Sequence, residues 1–268
     1  MRLLIRLAGA LAICLGLAGT VLAGTPCSDK QPQPTSIQQA FQAAYRVHQR
    51  LEALQPRIAL IGRVGQDLSE YGLRYSHIAF VMKDAASGQW RTTHLLNACN
   101  SNHSDLWQEG LGNFFLDDLH AYEALLIVPS PALQEKLQAL VSRPEAIRAL
   151  HQPLYNMVAY PFSDKYQNSN QWALELLAVA LTQQAGINPP IANRQQAQQW
   201  LKLTGYEPST LKLTAFKRLG ARMFKANVAF DDHPSERRFS DQIDTVTVES
   251  MDRYIQRVDA ASTSEVIR

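Results

Sequence analysis

Cysteine, net charge and long apolar runs are all scarce in this sequence. Three cysteines occur in 268 residues, at positions 14, 27 and 99. None is placed as a nucleophile. Cys27 lies close to the expected mature terminus, and Cys99 falls just past a strand. The formal charge of +2 argues against nucleic acid as a partner, since phosphate binding needs clustered Lys and Arg. Beyond the first residues, no apolar run is long enough for an integral membrane span. No segment is repetitive or low in complexity. The chain is long enough to bury one large core or two small ones.

The N-terminus carries the one apolar run. Met1-Arg2-Leu3-Leu4-Ile5-Arg6 is a positive start, and the apolar stretch ends at Val21-Leu22-Ala23. This pattern predicts a signal peptide over 1–23, cleaved after Ala23; the alternative is an uncleaved anchor. Neither Cys14 nor Cys27 follows the small residue that lipidation requires. Cleavage removes Arg2, Arg6 and Cys14, which brings the formal charge to zero. The expected location is periplasmic or secreted. In that oxidising setting Cys27 and Cys99 are expected to pair as a disulfide. Two free buried thiols are the alternative.

Periodicity predicts an α+β protein. A helix is expected over residues 35–54, with Ile37, Phe41, Tyr45 and Leu51 near one face. Ile58–Gly62, the segment around His77, Trp90–Ala98 and Tyr122–Val128 read as strands of an antiparallel meander. Residues 107–118 read as a loop with one helical turn. Helices are expected at 131–141, from Ser169 to about Gln184 as a strongly amphipathic element, at 194–204 and at 208–224. Thr245–Val248 reads as a strand before a last short helix. Residues 24–186 form the expected core, and 187–268 a helical extension with a return strand packed on it.

Chemistry concentrates at three points. His77 lies within the alternating run Tyr75-Ser76-His77-Ile78-Ala79-Phe80-Val81, and His94 lies on the next strand. If the strands pair, both rings share one face, together with Tyr75, Ala79 and Val81. Ser169 opens the later helix, where a nucleophile gains from the helix's positive end and free N–H groups. The bland alternatives are a buried structural His77, an exposed His94, and Asn168-Ser169-Asn170 as no more than an N-cap. Tyr75, Tyr166, Asn168, Asn170, Gln171 and Trp172 are candidate binding residues for a sugar or peptide; the alternative is a core tryptophan among capping amides. Asp231-Asp232-His233 has metal-ligand residue types, but a charged loop is the preferred reading. No metal or cofactor is expected.

Gly62–Leu68, Arg74–His77, His94–Asn97, Tyr160-Pro161-Phe162, Tyr166–Trp172, Asp232-His233-Pro234 and Thr245–Ser250 resemble an exported bacterial family known as a domain of unknown function, DUF2145. The His77 strand also resembles the histidine strand of circularly permuted NlpC-type, papain-like proteins, which include cell-wall amidases and lipid acyltransferases. That resemblance implies a papain-like antiparallel sheet packed on helices. It also implies a triad of His77, His94 and, where cysteine is usual, Ser169. A serine hydroxyl is a far weaker acid than a thiol, so the ready thiolate–imidazolium pair is lost. Two functions are therefore expected to compete. One is an amide or ester hydrolase or acyl transferase. The other is a catalytically inactive binder of cell-wall peptide, glycan or lipid, or an assembly factor docking through the helices after Gly186.

Overall fold

The computed structural model describes residues 31–225 and 227–268. The expected leader over 1–23 and Cys27 lie outside the described residues. In chain order the elements are α1 (Pro34–Leu54), β1 (Ala59–Val64), a 3₁₀ turn (Ser69–Tyr71), β2 (His77–Lys83), β3 (Trp90–Asn97), β4 (Ser104–Gly110), α2 (Leu111–Phe115) and β5 (Ala121–Val128). They continue with α3 (Pro131–Val141), α4 (Pro144–Ala149), α5 (Ser169–Gln184), α6 (Arg194–Leu203), β6 (Ser209–Lys212), α7 (Ala215–Phe224), α8 (Ser235–Phe239), β7 (Gln242–Thr245), α9 (Val248–Val258) and β8 (Thr263–Ile267).

Six strands form one antiparallel sheet in the order β4-β3-β2-β1-β5-β8. Alternate residues face opposite layers of helices. Ile61, Ala79, Val81 and Leu126 join α1 and α2 in one core. Leu60, Ile78, Phe80 and Leu125 join α3, α5 and α9 in the other. Because both faces are covered, β1 is buried along its whole length. A separate two-stranded sheet, β6–β7, sits over a smaller core of Val158, Leu211, Leu213, Phe230 and Ile243. Among the described residues no helix is long and apolar enough to cross a membrane.

Several expectations are corrected. α1 buries Ala40, Ala43, Ala44, Val47 and Leu51, whereas Phe41 and Tyr45 are exposed. Small side chains let the helix approach the sheet closely, so they define its inner face. α5 is not amphipathic: residues 169–182 are all buried, as a central helix requires. Of residues 107–118, expected as a loop with one helical turn, 107–110 belong to the edge strand β4, and the helical turn is α2. The helix expected over 208–224 is the short strand β6 followed by α7. The Thr-Val-Thr-Val segment does not continue as a strand. Thr247 caps α9, with Thr247 and Ser250 exchanging side chain-to-backbone bonds.

The C-terminal part is built into the core. β8 pairs with β5, and Ala197, Leu201, Val248, Met251 and Ile255 join the same apolar cluster as α5. A buried ion pair fixes α6 to α5. The Glu175 carboxylate accepts from Arg194 Nε at 2.8 Å, Gln198 Nε2 at 2.8 Å and Gln167 Nε2 at 2.6 Å.

Candidate functional site

β2 and β3 pair with Phe80 opposite Thr93. Extending that register puts His94 opposite Ala79, which shares a face with His77. The two imidazoles therefore meet diagonally across the strands, with His77 Nε2 2.8 Å from His94 Nδ1. Both rings pack on Phe114, at centroid distances of 6.0 and 5.5 Å. Tyr75 does not share their face. The chain is irregular before β2, and Tyr75 joins the core on the α5 side.

Two charged residues frame the pair. Glu109, on β4, brings Oε1 to 3.2 Å from His94 Nε2, an ion-pair distance without hydrogen-bond alignment. Arg63 lies directly opposite His77 on β1. Its guanidinium sits 4.8 Å over the Phe114 ring and is bonded to Phe114 O and Asp117. Burial holds the His77 imidazole well below its ordinary value, and the charges of Arg63 and His94 add to the effect. At neutral pH His77 is uncharged. A carboxylate beside His94 Nε2 favours the proton on that nitrogen. His94 Nδ1 then accepts from His77 Nε2–H, and His77 Nδ1 keeps the open lone pair.

Ser169 arrives from the other side of the sheet. α5 packs against Ile78 and Phe80, the residues that point away from the imidazoles. The head of α5 is tied to the start of β2: Asn170 Oδ1 accepts from Ile78 N at 3.1 Å, and Asn170 Nδ2 donates to Ser76 O at 3.4 Å. Asn168 caps the helix by accepting from Gln171 N at 2.7 Å. The Tyr155 phenol lies beside Ser169; burial pushes the phenol up, and the Ser169 hydroxyl pulls it partly back. Among the described residues no hydrogen bond joins Ser169 to His77 or His94. The structure thus brings the two histidines together and leaves the serine bonded to neither.

A cavity of about 920 Å³ opens beside this junction. His77, Ser169, Asn170 and Tyr155 are among its polar lining residues, with Arg63 and Asp117 adding charge, and Tyr75 borders it as well. Leu73, Met157, Val158, Leu211, Leu213 and Val228 supply apolar wall. The other candidate binding residues are held in the frame. Trp172 Nε1 donates to Ile147 O at 3.2 Å. Gln171 Nε2 donates to Pro161 O at 3.3 Å. Asn168 Nδ2 donates to Thr245 Oγ1 at 3.0 Å. Tyr166 lies under the Lys165 ammonium at 5.0 Å.

The Asp231-Asp232-His233 segment acts as a clasp. His233 Nδ1 lies 2.9 Å from Asp232 Oδ1, and Nε2 lies 2.9 Å from Asp244 O. Asp232 also accepts from Tyr160 N. Among the described residues no group of three or more His, Cys, Asp or Glu side chains is arranged to hold a metal ion.

Glu109, Arg63 and Phe114 were not singled out from the sequence. Alternation along Trp107-Gln108-Glu109 was the available signal for Glu109, since its diagonal to His94 follows from β3–β4 pairing. No curated protein and no solved structure matches this chain. A family model does match, over residues 50–255, and by that match the chain belongs to the family described as uncharacterized protein conserved in bacteria, DUF2145.

Proposed function

We propose that this chain is a binding protein of the bacterial envelope, exported with loss of residues 1–23, whose cavity takes a lipid-like amphipathic ligand without turning it over. The observation that carries this reading is the cavity's mixed lining: an apolar wall of Leu73, Met157, Val158, Leu211, Leu213 and Val228, together with polar and charged groups that include His77, Ser169, Arg63 and Asp117. Apolar pockets with convergent polar groups suit a ligand with an apolar tail and a polar head. Catalysis by Ser169 is not supported: among the described residues it has no hydrogen bond to either imidazole, although Ser169 and His77 line the same cavity.

The second reading keeps the permuted NlpC-type, papain-like relation and a hydrolase or acyl transferase using Ser169, His77 and His94. The file Glu109–His94–His77 favours it, because it leaves a lone pair on a neutral ring bordering the cavity. That reading needs the Ser169 hydroxyl to meet His77 at the start of β2.

Titration with a fluorescent long-chain fatty acid tests the proposal. Saturable binding is expected. Leu73→Glu should weaken it by at least about ten-fold, since a charge placed in an apolar wall costs more than the ~1.4 kcal/mol that ten-fold represents. Ser169→Ala should leave it unchanged. An absence of saturable binding sinks the proposal. Labelling by a fluorophosphonate probe that needs both Ser169 and His77 replaces it with the hydrolase.

A further inference from the structure

We infer that the outer face of α7 is a docking surface for an anionic membrane. The helix reads Ala215-Phe216-Lys217-Arg218-Leu219-Gly220-Ala221-Arg222-Met223-Phe224, with Lys225 at its C-cap and no acidic residue. Its orientation is the reverse of an ordinary surface helix. Ala221 packs on the small core over β6–β7. At about 100° per residue, Leu219 and Phe216 lie roughly 160° and 140° round the helix from Ala221. Phe216 and Leu219 therefore point outward, being 85% and 57% exposed. A helix held only by its own packing would place them the other way.

Two of its cations fix this orientation. Lys217 pairs with Glu70 on the 3₁₀ turn, and Arg218 pairs with Asp241. Arg222 and Lys225 are exposed and present positive charge beside the apolar stripe. A stripe of two side chains is too small for a stable protein–protein interface. It suits shallow insertion at a lipid headgroup boundary, where aromatic and leucine side chains enter and flanking Arg and Lys meet anionic headgroups. Phe216, Lys217 and Gly220 also line the cavity. Docking by this face would bring that side of the cavity to the bilayer. The inference stands whatever ligand the cavity takes.

Co-sedimentation of the full chain with vesicles of phosphatidylglycerol and phosphatidylcholine, against phosphatidylcholine alone, tests it. Residues 1–23 are common to all proteins compared, so binding through them cancels. Binding is expected to favour the anionic vesicles and to fall as salt rises. The double variant Phe216→Ser/Leu219→Ser should bind them at least about ten-fold more weakly, because the inserted apolar area is lost. Arg222→Gln/Lys225→Gln should abolish the preference for anionic lipid. Both pairs are exposed, so unchanged thermal unfolding is expected to accompany the loss. Anionic-vesicle binding no weaker in the Phe216/Leu219 double variant than in the parent overturns the inference. So does a dimer of the wild-type chain that this variant disperses while vesicle binding is absent.

Discussion

His77 Nε2 lies 2.8 Å from His94 Nδ1, while α5, with Ser169 at its head, packs on the opposite face of the strand that carries His77. The pairing has a consequence for stability. Burial holds His77 well below 6.5, its ordinary value, with Arg63 and His94 adding repulsion. In the unfolded chain the same ring titrates near about 6.5. Below that pH the unfolded state takes up a proton that the folded state resists. The stability this group contributes is thus present above its unfolded value and lost as pH falls through the folded one. His151, also lowered by burial, acts with the same sign. The melting temperature should fall between pH 7.5 and 5.5, and fall less steeply in His77→Gln. Equal slopes in the two proteins would exclude His77 as a cause.

The buried Glu175–Arg194 pair makes a second prediction. Glu175 is fully buried, and desolvation raises its carboxyl while Arg194, Gln198 and Gln167 draw it back down. Removing one partner leaves the other buried and unpaired, so Glu175→Ala and Arg194→Ala should each cost roughly 3–5 kcal/mol. Glu175→Met/Arg194→Met, which removes both charges together, should cost less than the sum of the singles. Urea unfolding midpoints measure all of these. Additive losses would mean that the pair contributes only by packing.

The contrast between His77 and Ser169 shows where sequence reading stops. Alternation along β2 and β3 was enough to place both imidazoles on one face, and Asn168 was readable as the cap of α5. The strand is apolar on both sides, however, so nothing in its residues marks which side α5 covers. That choice decides whether the triad can form. β4 is not legible in the sequence because it is an edge strand that mixes exposed Asp105 and Gln108 with Leu106 and an exposed Trp107, and Glu109 goes with it. Thr245-Val246-Thr247-Val248 has β-branched residues throughout, yet the capping bonds of Thr247 and Ser250 turn it into a helix start.

Cys27 and Cys99, which the proposed cleavage would leave, supply a third prediction. Cys99 lies in the turn between β3 and β4, and it is not without a partner. Pairing with Cys27 would tie the mature N-terminus to the strand ends near His94, and a bridge of this kind contributes about 2–4 kcal/mol. Alkylation of the unfolded, unreduced mature protein followed by mass measurement should show no modified thiol. Reduction should expose two and lower the melting temperature. Two alkylated thiols before reduction would exclude the bridge.

Gly62 marks the tightest approach between the sheet and the C-terminal helix. A Cβ there would meet Val248 Cγ1 at 2.9 Å, with Leu125 Cβ and Tyr75 Cβ both at 3.6 Å. Val248 is the first residue of α9 and is fully buried, so it has little room to yield. Gly62→Ala should therefore cost about 1–3 kcal/mol by overpacking. Val248→Ala in the same chain should recover part of that loss, because it removes the methyl that collides. Gly220→Ala is the contrasting case. Nothing lies within 4 Å of the added carbon, and the site is inside a helix, so a gain of about 0.5–1 kcal/mol is expected. Urea midpoints for the four proteins decide the matter. A Gly62→Ala chain as stable as the parent would mean that α9 sits further from β1 than these distances require.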